Sequence, residues 1–266
     1  FLAGTGRYTS EQDLIYFFVS VTNYNYEMWA QSGNKSVVAV VVPDSNPSGN
    51  VPAANVFQSA LSNDPGSSNM VPPMAYRFIY GADAYPQAGN AAKLIELDEK
   101  NISYIGLAAE GGLSNKMLVK GHCLDGNPFG YWYAIAWAAV NLTLALANEV
   151  INGSNTTLNP LYYDQRGIER LQRRALQTLR SGVSYGLLLG TVQGVGIDQA
   201  EFTEKLEKGE FAGNAVINAI PFSTYSSLNP NDYAAGVYAG LSAVITPRRG
   251  FESITFNLNV TNFVGA

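Results

Sequence analysis

The sequence contains one histidine and one cysteine, His122 and Cys123, which are adjacent. A Cys–His dyad needs both side chains on one side of the chain, whereas neighbours in a strand point to opposite faces. A Ser–His–Asp triad built on His122 is possible in principle, but no Gly-x-Ser-x-Gly turn occurs in the sequence. We therefore interpret His122 as a half-buried histidine of a hairpin and predict that the chain has no catalytic residue.

Metal and cofactor chemistry has little support in the residue pattern. One His and one Cys do not make a zinc site of familiar spacing, and no EF-hand loop is present. The pairs Gly4/Gly6 and Gly194/Gly196 do not extend into a dinucleotide- or phosphate-binding loop. The sequence therefore predicts no metal site and no cofactor. A glycosidase-like pair of distant carboxylates stays open, because such a pair needs no local motif.

Many charged side chains recur at the spacing of a helix surface. Two groups of carboxylates beside lysines are interpreted as solvated helix faces, namely Glu96, Asp98 and Glu99, and Glu201, Glu204 and Glu207. Five of the sixteen Lys and Arg residues lie within fifteen positions of one predicted helix and form the arginine row: Arg166, Arg170, Arg173, Arg174 and Arg180. The row is either a solvated face or a contact with an acidic neighbour, such as another subunit or an inner tube. Nucleic acid is a minor alternative, because aromatic residues do not interleave with the arginines.

The elements that carry these residues alternate between strand and helix in the first hundred residues. Strands are predicted at 15–21, 37–42, 75–80 and 102–108, and helices at 25–31, 53–62 and 88–99. This alternation is typical of parallel strands joined by crossover helices.

The second half is predicted to be richer in long helices. Asp125-Gly126 predicts a hairpin turn between 116–124 and the residues after Pro128. Helices follow at 131–151, ended by Asn152-Gly153, at 165–189 and at 199–208. Residues 240–245 are predicted to be extended, and 247–250 to form a turn. No apolar run reaches the roughly 18 residues that a membrane span needs; residues 134–147 come closest.

The end of the chain has the clearest strand pattern. In residues 253–263, Ile254, Phe256, Leu258 and Val260 alternate with polar side chains. This strand either closes the sheet of its own subunit or adds to the sheet of a neighbour, where backbone hydrogen bonds would supply affinity.

Composition is consistent with a subunit that hides much of its surface. Charged residues make up 14% of the chain, against about 25% in ordinary soluble domains. Interfaces between permanent partners are poor in charge and rich in aromatic residues, and this chain has 16 Tyr. An ordinary Gly- and Tyr-rich α/β domain explains the composition equally well. The net charge of −5 argues against nucleic acid as the main partner.

Three stretches resemble a known family, namely YWYAIAW, NEVINGSNTTLNPLYYDQRGIERLQ and NPNDYAAGVYAGLSAVITPRRGFESITFNLNVTNF. From about Gly106 to the end, the chain resembles the phage contractile-tail sheath proteins, in particular a sheath-like family of myovirus-type phages. The first two stretches match an aromatic-rich helix, an Asn-Pro turn and a helix that opens with Gly-Ile. The third matches the terminal hairpin of the family.

The resemblance implies a structural virion protein that is not an enzyme. It would polymerise helically around the tail tube and contract during genome delivery, with partners that are copies of itself, the tail tube protein and the baseplate. We expect assembly in the host cytoplasm, no direct nucleic-acid partner and no membrane. The alternatives are another tail or baseplate structural protein and, more distantly, an α/β hydrolytic enzyme. Interface residues would be Ile254, Phe256, Leu258 and Val260 together with the arginine row.

The expected fold is α/β with mixed α+β character, an open and mostly parallel sheet with flanking helices plus a C-terminal antiparallel hairpin. Residues 1–110 are expected to form an α/β portion that is truncated at its N-terminus, because the chain begins at Phe1. Residues 111–266 are expected to form the sheath core. A missing N-terminal arm, which completes the mesh in full-length sheaths, would leave this piece monomeric.

Overall fold

The computed structural model describes residues 16–22, 25–42, 52–61, 72–79, 83–86, 90–110 and 113–252. Helices and strands are mixed along the chain, as predicted. The strands are β1 Phe17–Val21, β2 Val37–Val41, β3 Tyr104–Glu110, β4 Leu113–Val119, β5 Val192–Val195, β6 Ala215–Ala219 and β7 Leu241–Val244. The helices are α1 Tyr26–Ala30, α2 Pro52–Leu61, α3 Ala91–Glu99, α4 Phe129–Ser154, α5 Gln165–Ser184, α6 Gln199–Glu207, α7 Phe222–Leu228 and α8 Pro230–Ala234.

The N-terminal part is built on a buried parallel pair. β1 and β2 run parallel, with Phe17 opposite Val37, and all five residues of β2 are buried. One side of β2 packs with α1 and α3 and the other with α2, so a strand with an unbroken apolar run is buried on both faces. A parallel bridge between Val40 and Ser103 joins this pair to the chain just before β3.

The hairpin of β3 and β4 connects the two halves of the sequence. Its strands pair antiparallel from Tyr104 opposite Val119 to Glu110 opposite Leu113. Ile105 and Leu118 are fully buried in the same cluster as Val40. The sequence predicts two portions, residues 1–110 and 111–266. β3 belongs to the first portion and β4 to the second, so their pairing links the two portions.

The C-terminal part is a small sheet between helices. Its strand order is β5–β6–β7, with β5 and β6 parallel and β6 and β7 antiparallel. Ala215 and Ile217 of β6 pack on the α5 side with Leu179. Val216 points to the opposite side and packs with Phe202 of α6. The alternation of side chains along β6 therefore places α5 and α6 on opposite faces of the sheet.

Helices α4 and α5 lie side by side. Ala134 of α4 is in the same buried cluster as Ala175 and Leu179 of α5. A Cβ at Gly182 of α5 would lie 2.8 Å from the Trp137 ring, so the glycine allows the helices to approach closely. The predicted apolar stripe of this helix is confirmed, because Ile168, Ala175 and Leu179 are buried and Leu171 and Val183 are half-buried.

Three sheet predictions need correction or stay unsupported. The described strands form three small sheets with two parallel and two antiparallel pairings, so an open, mostly parallel sheet is not confirmed. Residues 75–79 form no strand, because the positive φ of Tyr76 breaks the segment and leaves one bridge between Phe78 and Met117. Asp125-Gly126 does form a turn, but its second arm is only the bridge from His122 to Pro128 before α4 begins.

The ends of the long helices also differ from expectation. α4 continues through Asn152-Gly153 to Ser154, because Gly153 is a buried contact with Leu161 and not a left-handed cap. α5 ends at Ser184, five residues early, where Gly186 has a φ of 76°. Residues 247–250 do not form the expected turn; Leu188 bridges Pro247, and Arg248 N–H donates to the Leu187 carbonyl.

Candidate subunit interface

Helix α4 has two apolar sides, and the described chain covers one of them. Ala134, Ala138 and Ala145 are spaced by four and seven residues and are buried. On the opposite side, Trp132, Ala136, Ala139 and Thr143 follow each other at spacings of four, three and four. Such spacing places side chains on one face of a helix. The residues on this side of the helix are called the open face of α4: Trp132, Ile135, Ala136, Ala139, Val140, Thr143 and Leu144.

The open face of α4 forms the floor of a groove with a volume of about 460 Å³. Its other wall comes from the residues just before β1 and β2, namely Tyr16, Lys35 and Ser36. Lys35 Nζ lies 4.7 Å from the centre of the Trp132 ring and is the charged side chain of the lining. Leu144 at the end of the groove is 55% exposed. The groove is therefore an apolar surface with one cation at its rim.

Helix α4 carries apolar side chains on its exposed side as well as on its buried side. Its most apolar stretch of 18 residues has a mean hydropathy of 1.5, and 17% of that stretch is buried. Among the described residues it is the one helix that passes a membrane-span test of length and composition. This is weak support for a membrane, because the core helices of soluble proteins pass the same test. Apolar helices are ordinarily buried, whereas the described residues leave this face of α4 uncovered.

The arginine row lies on the solvent side of α5. Arg166, Arg173, Arg174 and Arg180 are exposed. Within the described part of the chain, no carboxylate lies at ion-pair distance from any of these four; Arg174 bonds to the Gln177 side chain at 3.4 Å. Four guanidinium groups are thus available to a partner.

Arg170 behaves differently from the other members of the row. Its Nε pairs with the Glu149 carboxylate of α4, and its Nη1 donates to the Asn159 carbonyl at 2.7 Å. Both side chains of the pair are about one-fifth exposed. The prediction of an interface role for Arg170 is not supported by these contacts, which hold α4, α5 and their connection together.

The open face and the arginine row belong to adjoining surfaces. A second groove of about 570 Å³ runs between α4 and α5, and Leu144 borders both grooves. Asn141 and Asn148 line it from α4, and Arg174 and Gln177 line it from α5. An apolar strip and a basic, amide-rich strip therefore lie next to each other on this side of the molecule.

The other predicted interface residues are Ile254, Phe256, Leu258 and Val260. They lie outside the described residues, which end at Glu252.

His122 was predicted to be half-buried, but the structure buries it almost completely. Its side chain is 6% exposed, and its Nε2 lies 3.3 Å from a carboxylate oxygen of Glu252. Neither ring nitrogen has hydrogen-bond geometry with a described residue. Burial lowers the pKa of His122, and the Glu252 carboxylate partly opposes that shift. The neighbouring Cys123 is fully buried, and burial raises the pKa of its thiol far above neutral pH, which makes it a poor nucleophile.

Glu96 was predicted to belong to a solvated face beside lysines; its side chain is 37% exposed, but it also joins α3 to α1. The buried Tyr26 of α1 donates its hydroxyl to the Glu96 carboxylate, and Lys93 and Lys100 lie 3.1 and 3.0 Å from it. The hydrogen bond from Tyr26, followed by those from the lysines, lowers the pKa of Glu96 to about 2. This cluster fastens α3 to α1. Among the described residues, no group of three or more His, Cys, Asp or Glu side chains is placed to hold a metal.

The chain matches no protein-family model and no curated protein. The open face of α4 is the candidate site that sequence reasoning missed. Its signal was present in the spacing of Trp132, Ala136, Ala139 and Thr143.

Proposed function

We propose that this chain is a structural subunit of a contractile phage tail sheath, which polymerises helically around a tail tube and contracts during genome delivery. The observation that carries the proposal is the open face of α4, an apolar surface that the described residues leave uncovered along several helical turns. Contiguous apolar patches on a soluble protein mark interaction sites.

Three further features support a protein partner for this surface. Arg174 of the arginine row lines the groove that adjoins the open face, and four members of the row have no ion pair within the described chain. The polar residues Asn141 and Asn148 and the Arg170–Glu149 ion pair interrupt the apolar surface of α4, which suits a protein interface better than a hydrocarbon layer. The low content of charged residues fits a protein buried among copies of itself.

The remaining parts of the proposal rest on the resemblance of the second half to sheath proteins. They are an open, mostly parallel α/β sheet in the complete subunit, contacts with the tail tube and baseplate, assembly in the host cytoplasm and a final location in the virion tail. The proposal includes no catalytic activity. The runner-up is another tail or baseplate structural protein, which would use the same surface in rings or short tubes.

The test replaces Leu144 by Glu in the full-length protein. Burying a carboxylate in an apolar interface is costly, so Leu144→Glu should raise the concentration needed for assembly by at least about tenfold. The matched control is Ile95→Glu on α3, because Ile95 is 59% exposed and Leu144 is 55% exposed. Sedimentation measures how much protein assembles, and electron microscopy shows the form of the assemblies. Thermal unfolding checks that both variants stay folded.

The expected result is long cylinders for the wild type and the control, and soluble folded monomer for Leu144→Glu. Normal cylinders from Leu144→Glu would contradict the role of the open face. Rings or short tubes from the wild type would favour the runner-up, and a wild type that stays monodisperse at high concentration would overturn the proposal.

A further inference from the structure

The C-terminal part has three layers with charged outer surfaces. Helix α5 packs on one face of the β5–β6–β7 sheet through Ala175 and Leu179. Helix α6 packs on the other face through Phe202, which contacts Phe211 and Val216. The solvent sides of α5 and α6 therefore lie on opposite sides of the same rigid layer.

The α5 side is strongly basic. Helix α5 carries the five arginines of the arginine row and one acidic residue, Glu169, which gives a net charge of +4. Arg170 alone is neutralised, by Glu149. The other four arginines have no carboxylate within ion-pair distance among the described residues, so they can pair with an acidic surface of another molecule.

The α6 side is acidic. Residues 198–210, here called the acidic segment, contain five carboxylates and two lysines, which gives a net charge of −3. Glu201 pairs with Lys205 at 3.1 Å, and Glu204 pairs with Lys208. Glu207 and Glu210 are exposed, and no described cation lies within ion-pair distance of them. The segment therefore presents uncompensated negative charge to solvent.

We propose that the arginine row of one copy binds the acidic segment of the next copy, so that subunits stack head to tail. This deepens the proposed function and rests on it. A contact between two different surfaces of the same chain can repeat without closing, and it then builds an open helical polymer. Arginine suits this role because its planar guanidinium binds carboxylates through two parallel hydrogen bonds.

The test uses two reversals in the full-length protein. The first variant replaces Arg173, Arg174 and Arg180 by Glu, which changes the net charge of α5 from +4 to −2. The second replaces Glu204, Glu207 and Glu210 by Lys, which changes the net charge of the acidic segment from −3 to +3. Arg170 is left intact because it joins α4 to α5. In each variant both contact surfaces carry the same sign, so each alone should assemble at least about tenfold less readily than the wild type at roughly 50 mM salt.

Mixing the two variants restores opposite signs at every contact, so the mixture should assemble as alternating copies. A chain with all six substitutions keeps the wild-type net charge and has opposite signs on its two surfaces, so it should assemble alone. Glu99→Lys on α3, an exposed position away from both surfaces, is the control for net charge. Circular dichroism checks that each chain is folded, and the assembly of wild type should weaken as salt is raised to roughly 500 mM.

Each outcome bears on one claim. Normal assembly of both reversal variants, or a mixture that does not assemble, would overturn the head-to-tail contact, even if the wild type forms cylinders. Loss in each variant and rescue in the mixture would support the contact, even if the particles are not cylinders and the sheath proposal fails. Loss in the first variant alone would indicate that the row contacts a different surface of the neighbouring copy, and it would overturn the contact with the acidic segment. No association of the wild type at low salt would overturn the contact.

Discussion

At the scale of single residues, the surroundings of a charged group decide its role. Arg170 and Arg173 belong to the same row in the sequence, yet Arg170 is paired with Glu149 and Arg173 is exposed. Glu96 and Glu99 lie three residues apart on α3, yet Glu96 joins the buried Tyr26 while Glu99 remains exposed. Residue type and helical spacing predict that such groups lie near a surface, whereas the partner that reaches them comes from a distant part of the chain.

His122 allows a prediction about pH. Because burial lowers its pKa below the usual 6.5, the unfolded chain binds a proton at pH values where the folded chain does not. Its contribution to stability should therefore fall as pH drops below about 6.5, by at most about 1.4 kcal/mol per pH unit. Denaturation at pH 7.5 and 5.5 measures this slope, and His122→Gln should reduce it.

A ring-proton titration of His122 provides the second measurement. Replacing Glu252 by Gln removes the carboxylate that favours the charged ring, so the pKa should fall further. A measured pKa at or above 6.5 in the wild type would contradict the buried, neutral ring.

At the scale of elements, α4 shows how one helix satisfies two demands. Its alanine side is buried against α5 and the C-terminal sheet, and its other side is the open face. The segment after α4 folds back against the end of the helix, where Leu161 N–H donates to the Gly153 carbonyl at 3.0 Å. Gly153 has no side chain, and this leaves room for Leu161. The Asn-Gly pair resembles a helix end in the sequence, but tertiary packing gives its glycine a different role.

Gly153→Ala should destabilise the fold. A Cβ at this position would lie 2.4 Å from the Leu161 Cβ, and relieving such overpacking costs about 1–3 kcal/mol. Gly130→Ala in the same helix is the matched control, because nothing lies within 4 Å of its added Cβ. The control should be neutral or stabilising by up to about 1 kcal/mol. Chemical denaturation compares the two, and equal stabilities would show that Leu161 moves away freely.

At the scale of the whole molecule, small sheets are joined by packing and single bridges. The parallel pair β1–β2, the hairpin β3–β4 and the sheet β5–β6–β7 each bury one or both faces against helices. The described residues leave uncovered one apolar face and two outer surfaces of opposite charge. Such an arrangement suits assembly by several weak contacts that act together.

Truncation tests the two interpretations of the last fourteen residues. A chain that ends at Glu252 retains the contact with His122. If residues 253–266 pair with a neighbour, as the resemblance implies, the truncated chain should unfold at an unchanged temperature and form no cylinders. Thermal unfolding and electron microscopy measure both properties. A lower unfolding temperature would instead indicate that these residues close the sheet of their own subunit.

The sequence by itself determined the elements that depend on local pattern. The unbroken apolar run of β2 and the stripe of Ile168, Ala175 and Leu179 on α5 both follow from periodicity. Only the tertiary structure decided which side of α4 stays open, that Arg170 pairs with Glu149, and that Glu96 meets Tyr26. These contacts join residues far apart in the chain, and local spacing carries no information about which surfaces pack together.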